Sequence, residues 1–488
     1  MLTTLRPKLE LLSKQLIEKI IEEAFIILEN QGVFVENSQA LDLFRDSGMR
    51  VDSDTQRVYI TPALVEDALS SAPKTITIYD RTGEKSYVVG GDHVHFDPGS
   101  AAVSIFDPQT GCQRPPVSAD VRNFIRITDV LDNIHFQSTG LISSDVPDMI
   151  ADSYRLFLAL QYSAKPVVTG TFRVEGFKPM FEMLCAVRGG AAALADKPLA
   201  IFDACPSPPL KWSNLTTQSL IDSARAGIPS ELISMGMTGA TSPVTITGTL
   251  VQHCVENFCG VVITQLAEKG SPVIFGGSPS SFDMRKGTTP MGAIETMMID
   301  SGYAQIAKSF DLPTHAYMGL SDSKVNDNQA GLETGIGAVI AALSGINVIS
   351  GVGMMDFESC QCLEKLVIDH EICSMAYRLI QGISQRDDPI ATDLFSGFAG
   401  DMDFLTTPHT RKWFKLEHTY PLLIDRDTYD TWDSLGSKNI EQRASERVQE
   451  ILETVPANLP DKNLVKSLRD IMIGDAEANG LSAFPDPD

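Results

Sequence analysis

Alternating imidazoles at His93 and His95 are the pattern in this sequence that most suggests metal chemistry. Side chains two apart on a strand share a face and can hold one zinc ion. A metal-dependent hydrolase would also draw histidines and an aspartate from later strand ends. Only His315 falls at one; His253 and His370 fall in expected helices. The pair therefore reads as structural, with the hydrolase kept as the alternative function and no metal expected. Cys360-Gln361-Cys362 near His370 would make a strained chelate with no fourth ligand. The other cysteines show no framework spacing, so all eight read as free, mostly buried thiols of a reducing, cytoplasmic compartment. Gly276-Gly277-Ser278-Pro279-Ser280-Ser281 could offer amides to a phosphate but lacks the lysine of a Walker loop. Gly335-Ile336-Gly337 lies inside a helical run and reads as close packing.

The elements that must position such residues alternate regularly. Apolar strands are expected at 134–139, 166–169, 199–203, 232–235, 272–275, 314–318 and 347–350, most followed by a helix. The eighth strand falls at 93–96, 103–106 or 391–395. No dinucleotide-type turn follows the first strand, which favours a barrel over a doubly wound sheet. The expected class is α/β, a (β/α)8 TIM barrel over residues 91–385. An N-terminal α+β cap occupies 1–90, and a C-terminal helical extension, 386–488, packs on the barrel or a neighbouring subunit of a homo-oligomer. The final AFPDPD is expected to fray.

The formal charge of −24 disfavours nucleic acid and suits cationic ligands. The long apolar run from Gly337 to Met355 carries a Ser-Gly turn and reads as buried core, so no membrane span is expected. Barrel chemistry sits at the carboxyl ends of the strands. Those ends read as rich in Gly, Ser, Thr and Met, with few charges. Asp322, Lys324 and Gln329 gather in the loop after the strand ending at Met318. The Pro-stiffened run Cys205–Trp212 brings Trp212 towards the same opening.

The run from Phe275 to Gly331, containing SDSK-x-x-D-x-QAG at Ser321–Gly331, and the strand–loop at Asn347–Asp356 resemble the trimethylamine methyltransferase family. The resemblance extends from the N-terminal helix to the DHEI segment at Asp369–Ile372. It implies a (β/α)8 barrel and transfer of a methyl group from a small cationic N-methyl amine to the cobalt(I) of a separate, cognate corrinoid protein. The cobalamin is then the partner's, and no cofactor is held tightly by this chain. The founding branch carries pyrrolysine, whereas this chain has standard residues only, which shifts the expected donor to quaternary amines such as betaines or carnitine. Expulsion of a neutral tertiary amine needs no general acid, so no catalytic group is assigned. Phe96, Trp212 and Tyr317 are the expected aromatic cage for the cation. Met354, with Met235, Met318 and Met355, would line the remainder. Cys205, Asp322 and Ser350 stand at strand-end loops. His315 or Lys324 would meet a substrate carboxylate, in place of the Arg clamp expected of a betaine enzyme. A non-enzymatic amine-binding protein is a third reading.

Overall fold

A computed structural model describes residues 4–396, 400 and 403–486. From residue 95 the chain alternates strand and helix eight times. The strands are β1 (His95–Phe96), β2 (Gln137–Ser138), β3 (Val167–Thr169), β4 (Ala200–Ala204), β5 (Ser230–Ser234), β6 (Val273–Gly277), β7 (His315–Tyr317) and β8 (Val348–Ser350). The helices that follow them are α1 (Ser118–Val130), α2 (Ala151–Tyr162), α3 (Phe177–Arg188), α4 (Asn214–Ala226), α5 (Ile246–Ala267), α6 (Ile294–Lys308), α7 (Asn328–Leu343) and α8 (Leu363–Ile380). Every pairing among the eight strands is parallel. β2 to β6 form one sheet in chain order, and β7, β8 and β1 form another. A parallel bridge between Phe275 and Thr314 links β6 to β7. At the other junction the amides of His135 and Phe136 donate to the Phe96 carbonyl at 3.0 and 3.3 Å. The fold is α/β.

The eighth strand is His95–Phe96, paired with Val348 and Ile349. Ser104–Asp107 instead joins Cys112–Arg114, Met354–Met355 and Cys360–Gln361 in a small sheet, built from the segments that follow β1 and β8. Thr392–Phe395 is a single 3₁₀ turn.

Strand residues alternate between two environments, as a period of two requires. Phe96, Val167, Phe202, Leu232, Phe275, Ala316 and Ile349 pack with the helices in the main core. Phe136, Val168, Ile201, Ile274 and Val348 belong to the opposite side, where the hairpin Thr75–Tyr79/Ser86–Gly90 covers them with Ile76, Ile78, Tyr87 and Val89. That hairpin seals the amino ends of the strands. The next residues along the same side, towards the carboxyl ends, therefore face each other away from the helices.

The N-terminal helices Lys14–Asn30 and Pro62–Ser71 pack on α5, which explains why α5 is buried nearly all round. In the tail, Ile440–Thr454 packs on α8 and α1, and Lys462–Ala478 on α3 and α2. Of the AFPDPD expected to fray, residues 483–486 run against α2, and 487–488 lie outside the described residues. Phe484 sits 5.9 and 5.8 Å from the rings of Tyr154 and Phe157, and the Tyr154 hydroxyl donates to the Pro485 carbonyl at 2.9 Å. Among the described residues no helix is long and apolar enough to cross a membrane.

Candidate active site

Four carboxyl groups converge at the carboxyl ends of the strands. Asp97 follows β1, Asp203 lies on β4, Glu231 on β5, and Glu358 reaches in from the turn between Met354–Met355 and Cys360–Gln361. Asp203 and Glu231 are register partners on neighbouring strands, so their side chains emerge side by side. Asp97 and Glu231 are fully buried. Asp203, Cys205 and Glu358 are half-buried.

The hydrogen bonds among these groups run in two chains. Ser350 Oγ donates to Asp97 Oδ2 at 2.6 Å, and His315 Nε2 lies 2.9 Å from the same Ser350 oxygen. Because the Ser350 proton is committed to Asp97, His315 must donate from Nε2, which leaves Nδ1 bare; Nδ1 indeed has no partner. Asp97 Oδ1 accepts from the Gly99 amide at 2.7 Å. In the second chain, Tyr317 Oη lies 3.2 Å from Ser100 Oγ, which donates to Asp203 Oδ2 at 3.4 Å, and Glu358 neighbours Tyr317. Glu231 Oε1 lies 3.2 Å from His315 Nε2, but the geometry makes no hydrogen bond. Both Glu231 oxygens and Asp203 Oδ1 are left without donors.

Burial of so many acids together disfavours their charged forms. Burial raises Asp97 to about 7, and burial with the neighbouring Asp97 raises Asp203 to about 8. The Glu231 and Glu358 carboxyls are pushed well up by burial, then by Asp203 and Asp97. Burial lowers His315 to about 3, so it is neutral. The Cys205 thiol is held protonated by burial and the acids around it, so it offers no thiolate nucleophile. The basic group beside the cluster is Arg155, whose Nε is buried without a partner. It donates to the Thr139 carbonyl at 2.6 Å, lies 4.2 Å from the Phe172 ring centroid and has Asp152 and Asp203 as neighbours. A cation brought beside these acids would favour their ionised forms.

The strand ends are therefore not poor in charge, as the sequence suggested. Asp203 was legible as a strand-end residue but was given no role, and Asp97 was passed over, although each stands two places beyond a residue of the same side, His95 and Ile201. Glu231 was missed because the strand was expected to start at Leu232, whereas it starts at Ser230. Glu358 had no linear signal. It is aimed by a turn in which Asp356, Phe357 and Glu358 have φ of 51°, 55° and 70°.

Of the expected site residues, Cys205, His315, Tyr317 and Ser350 do come together. Met354 is buried beside Gly99, where a Cβ would come within 2.9 Å of its sulfur. Phe96 does not reach the site. It is one residue out of phase, on the helix side of β1, with its ring 5.4 Å from Tyr377. Trp212 does not either. It is fully buried where its strand pairs with Val33–Val35, against Gly260 of α5, and Nε1 donates to the Glu256 carbonyl at 3.2 Å. Asp322 accepts the amides of Met291 and Gly292 at 2.9 and 3.0 Å and so anchors the loop before α6. Lys324 turns to the Asp322 carbonyl, to Asp356 at 3.5 Å and to the Phe357 ring. Met355 packs with Phe106, Cys360 and Cys362 instead of the site. His95 uses both ring nitrogens, on the Val88 carbonyl and on His135, each at 2.8 Å, and His93 is exposed. Among the described residues no three His, Cys, Asp or Glu side chains are grouped to hold a metal ion.

The chain has relatives among known proteins. The family model for trimethylamine methyltransferase (MTTB) matches residues 1–477. The trimethylamine methyltransferase MttB of Desulfitobacterium hafniense is 34% identical over 447 residues, covering 91% of this chain and 90% of that protein. The glycine betaine methyltransferase of the same species is 32% identical over 452 residues, covering 92% and 93%. The crystal structure of the Methanosarcina barkeri monomethylamine methyltransferase superposes with a TM-score of 0.51 over 96% of this chain and 93% of that one, at 14% identity, which speaks for the fold alone. The protein is thus an enzyme, a methyltransferase. It belongs to the trimethylamine methyltransferase family.

Proposed function

We propose that this enzyme moves a methyl group from a small quaternary N-methyl ammonium compound to the cobalt(I) of a corrinoid carried by a cognate partner protein. The reaction would take place at the carboxyl ends of a closed (β/α)8 barrel. The observation that carries the reading is the group of four carboxyls gathered at the strand ends, beside which Arg155 is buried. The bridge at one sheet junction and the two hydrogen bonds at the other support closure. The acceptor's electron pair forms the new bond to the methyl carbon, the C–N pair returns to nitrogen, and a neutral tertiary amine leaves. No proton moves, which fits a site whose acids are held by burial and whose histidine is neutral. The chain's part is to hold the cation, align its C–N bond and exclude water. Met149, Phe172, Met235, Met284 and Val325 are exposed apolar residues on segments that follow β2, β3, β5, β6 and β7, an apolar rim fitting a protein partner. Residues 1–90 serve as cap, 91–385 as barrel and 386–488 as extension. The enzyme works in the cytoplasm as a homo-oligomer.

The test supplies cob(I)alamin, free or on a corrinoid protein, with a panel of quaternary amines. Loss of the cobalt(I) absorbance with at least one amine is expected. A competent acceptor that remains unmethylated with all of them would overturn the reading.

A further inference from the structure

Two helices of the C-terminal extension bury nothing in the single chain. Pro408–Glu417 carries Trp413, Phe414 and Leu416, and Tyr429–Ser434 carries Tyr429 and Trp432, yet neither helix has a buried residue. From 408 to 435 only Leu423 is buried. Helices this short are marginal alone and owe their stability to an apolar face packed on something else. Resting on the homo-oligomer of the preceding reading and not on its chemistry, we propose that a second copy of the same chain covers this surface, related to the first by a twofold axis.

The apolar surface is continuous. One hollow is lined by Leu5, Met375, Leu379, Ile383 and Thr419, and the next by Tyr420, Leu422, Trp432 and Leu435, so the two join at consecutive residues. Ile383 is 95% exposed and Leu422 73%, and a monomer rarely leaves a contiguous apolar patch of this kind in water. A stable interface draws roughly 20–30 residues from each side, which segment 408–435 and the outer face of α8 supply. The surface also lies away from the site. The helix of a βα unit runs back towards the amino ends of the strands, so the end of α8 is on the side opposite the acids. There a Cβ on Gly382 would meet the Leu5 carbonyl, and the N-terminal stretch is tied to that end by the Leu9 amide on the Leu343 carbonyl and by Lys8 on Asp92. The amides of Leu422 and Leu423 hold to Glu371, half way along α8. A partner that brings cobalt to the strand ends has no use for this surface.

The charges suit a second copy. Arg411, Lys412 and Lys415 are exposed on the first helix, and Asp427, Asp430 and Asp433 are exposed on or just before the second. Lys412 pairs with Asp387, while Arg411, Lys415, Asp427 and Asp430 make no ion pair among the described residues. Under a twofold axis the basic helix of one copy meets the acidic segment of the other, twice over, so one patch is complementary to itself. In a chain of net charge −24 this pairing lets two copies meet without repulsion.

Analytical ultracentrifugation of the full chain at micromolar concentration tests this, and an even number of chains per particle is expected. Ile383→Asp and Leu422→Asp should each weaken self-association about tenfold or more, since each sets a charge in the middle of the apolar contact. Both side chains are exposed in the single chain, so folding loses no packing, and circular dichroism checks that it is retained. Arg411→Glu with Lys415→Glu, and separately Asp427→Lys with Asp430→Lys, should also weaken self-association. An equal mixture of these two double variants should restore it, because each helix then meets its opposite. A mixture that fails to associate overturns the twofold pairing. An oligomer unmoved by Ile383→Asp and Leu422→Asp leaves the homo-oligomer standing and refutes this surface. A monomeric chain refutes both. A monomer in which Leu422→Asp slows methyl transfer to a protein-borne corrinoid but not to free cob(I)alamin would assign the surface to the corrinoid protein instead.

Discussion

Gly276 sets the position of His315. A Cβ there would come within 2.9 Å of the His315 Cβ and 2.9 Å of the Leu232 carbonyl, so neither neighbour has room to yield. Gly276→Ala should cost about 1–3 kcal/mol, as overpacking does, and cut methyl transfer by displacing the imidazole. Gly170, where a Cβ would meet Asp203 at an ordinary 3.4 Å, should accept alanine with little loss, and denaturant titration of both variants checks the contrast. Ser350 joins the imidazole to Asp97, so Ser350→Ala leaves two buried groups short of a partner. A loss of about 1–3 kcal/mol is expected, with weaker cation binding measured by calorimetry. Ser350 and His315 were legible as strand-end residues. Their link to Asp97 was not, because it depends on the pairing of β8 with β1, more than 250 residues apart in the chain.

At the scale of elements, the turn that carries Glu358 trades stability for placement. Three consecutive non-glycine residues with positive φ each cost about 1 kcal/mol or more, and such strain persists only where the surroundings impose it. Glu358→Gly is therefore expected to raise thermal stability while reducing turnover, a split that scanning calorimetry and an activity assay would show together. Unchanged activity would remove Glu358 from the site. On α7, Gly337 lies where a Cβ would come within 2.2 Å of the Met318 carbonyl, while Gly331 faces open space. Gly337→Ala should destabilise and Gly331→Ala should stabilise by about 0.5–1 kcal/mol through helix propensity, as thermal melting will report. Strand and helix positions were largely visible in the sequence because apolar period and length encode them. Phase within a strand was not. A shift of one residue exchanges the two sides, which is why Phe96 looked like a cage residue and its neighbour Asp97 was passed over.

For the whole molecule, the buried acids and histidines link stability to pH in opposite directions. Asp97 and Asp203 titrate near 7 and 8 when folded, against about 4 for an unfolded carboxyl. The folded chain holds more protons in that window, so their stabilisation is complete below about pH 4 and is lost as pH rises through 7 to 8. His315 and His253, lowered by burial to about 3, act in the other sense. Their contribution is complete above about pH 6.5 and fades on acidification towards 3. The free enzyme should be most stable near pH 6, and its melting temperature should fall between pH 6 and 8. A saturating cationic ligand should raise the melting temperature more at pH 8 than at pH 6, because ionised acids bind it better. Asp203→Asn should flatten the alkaline limb, and an unchanged limb would show that Asp203 does not titrate there.

The sequence by itself determined the repeat of strands and helices, the family to which the chain belongs and the side of the strands where chemistry occurs. These properties are written in local periodicity and in contiguous motifs such as SDSK-x-x-D-x-QAG. The character of the site was decided only by tertiary structure. Asp97, Asp203, Glu231 and Glu358 are spread over some 260 residues and carry no shared motif. Strand register brings three of them to one side, and a left-handed turn delivers the fourth. Their raised pKa values arise from mutual burial, which no one residue's type reveals.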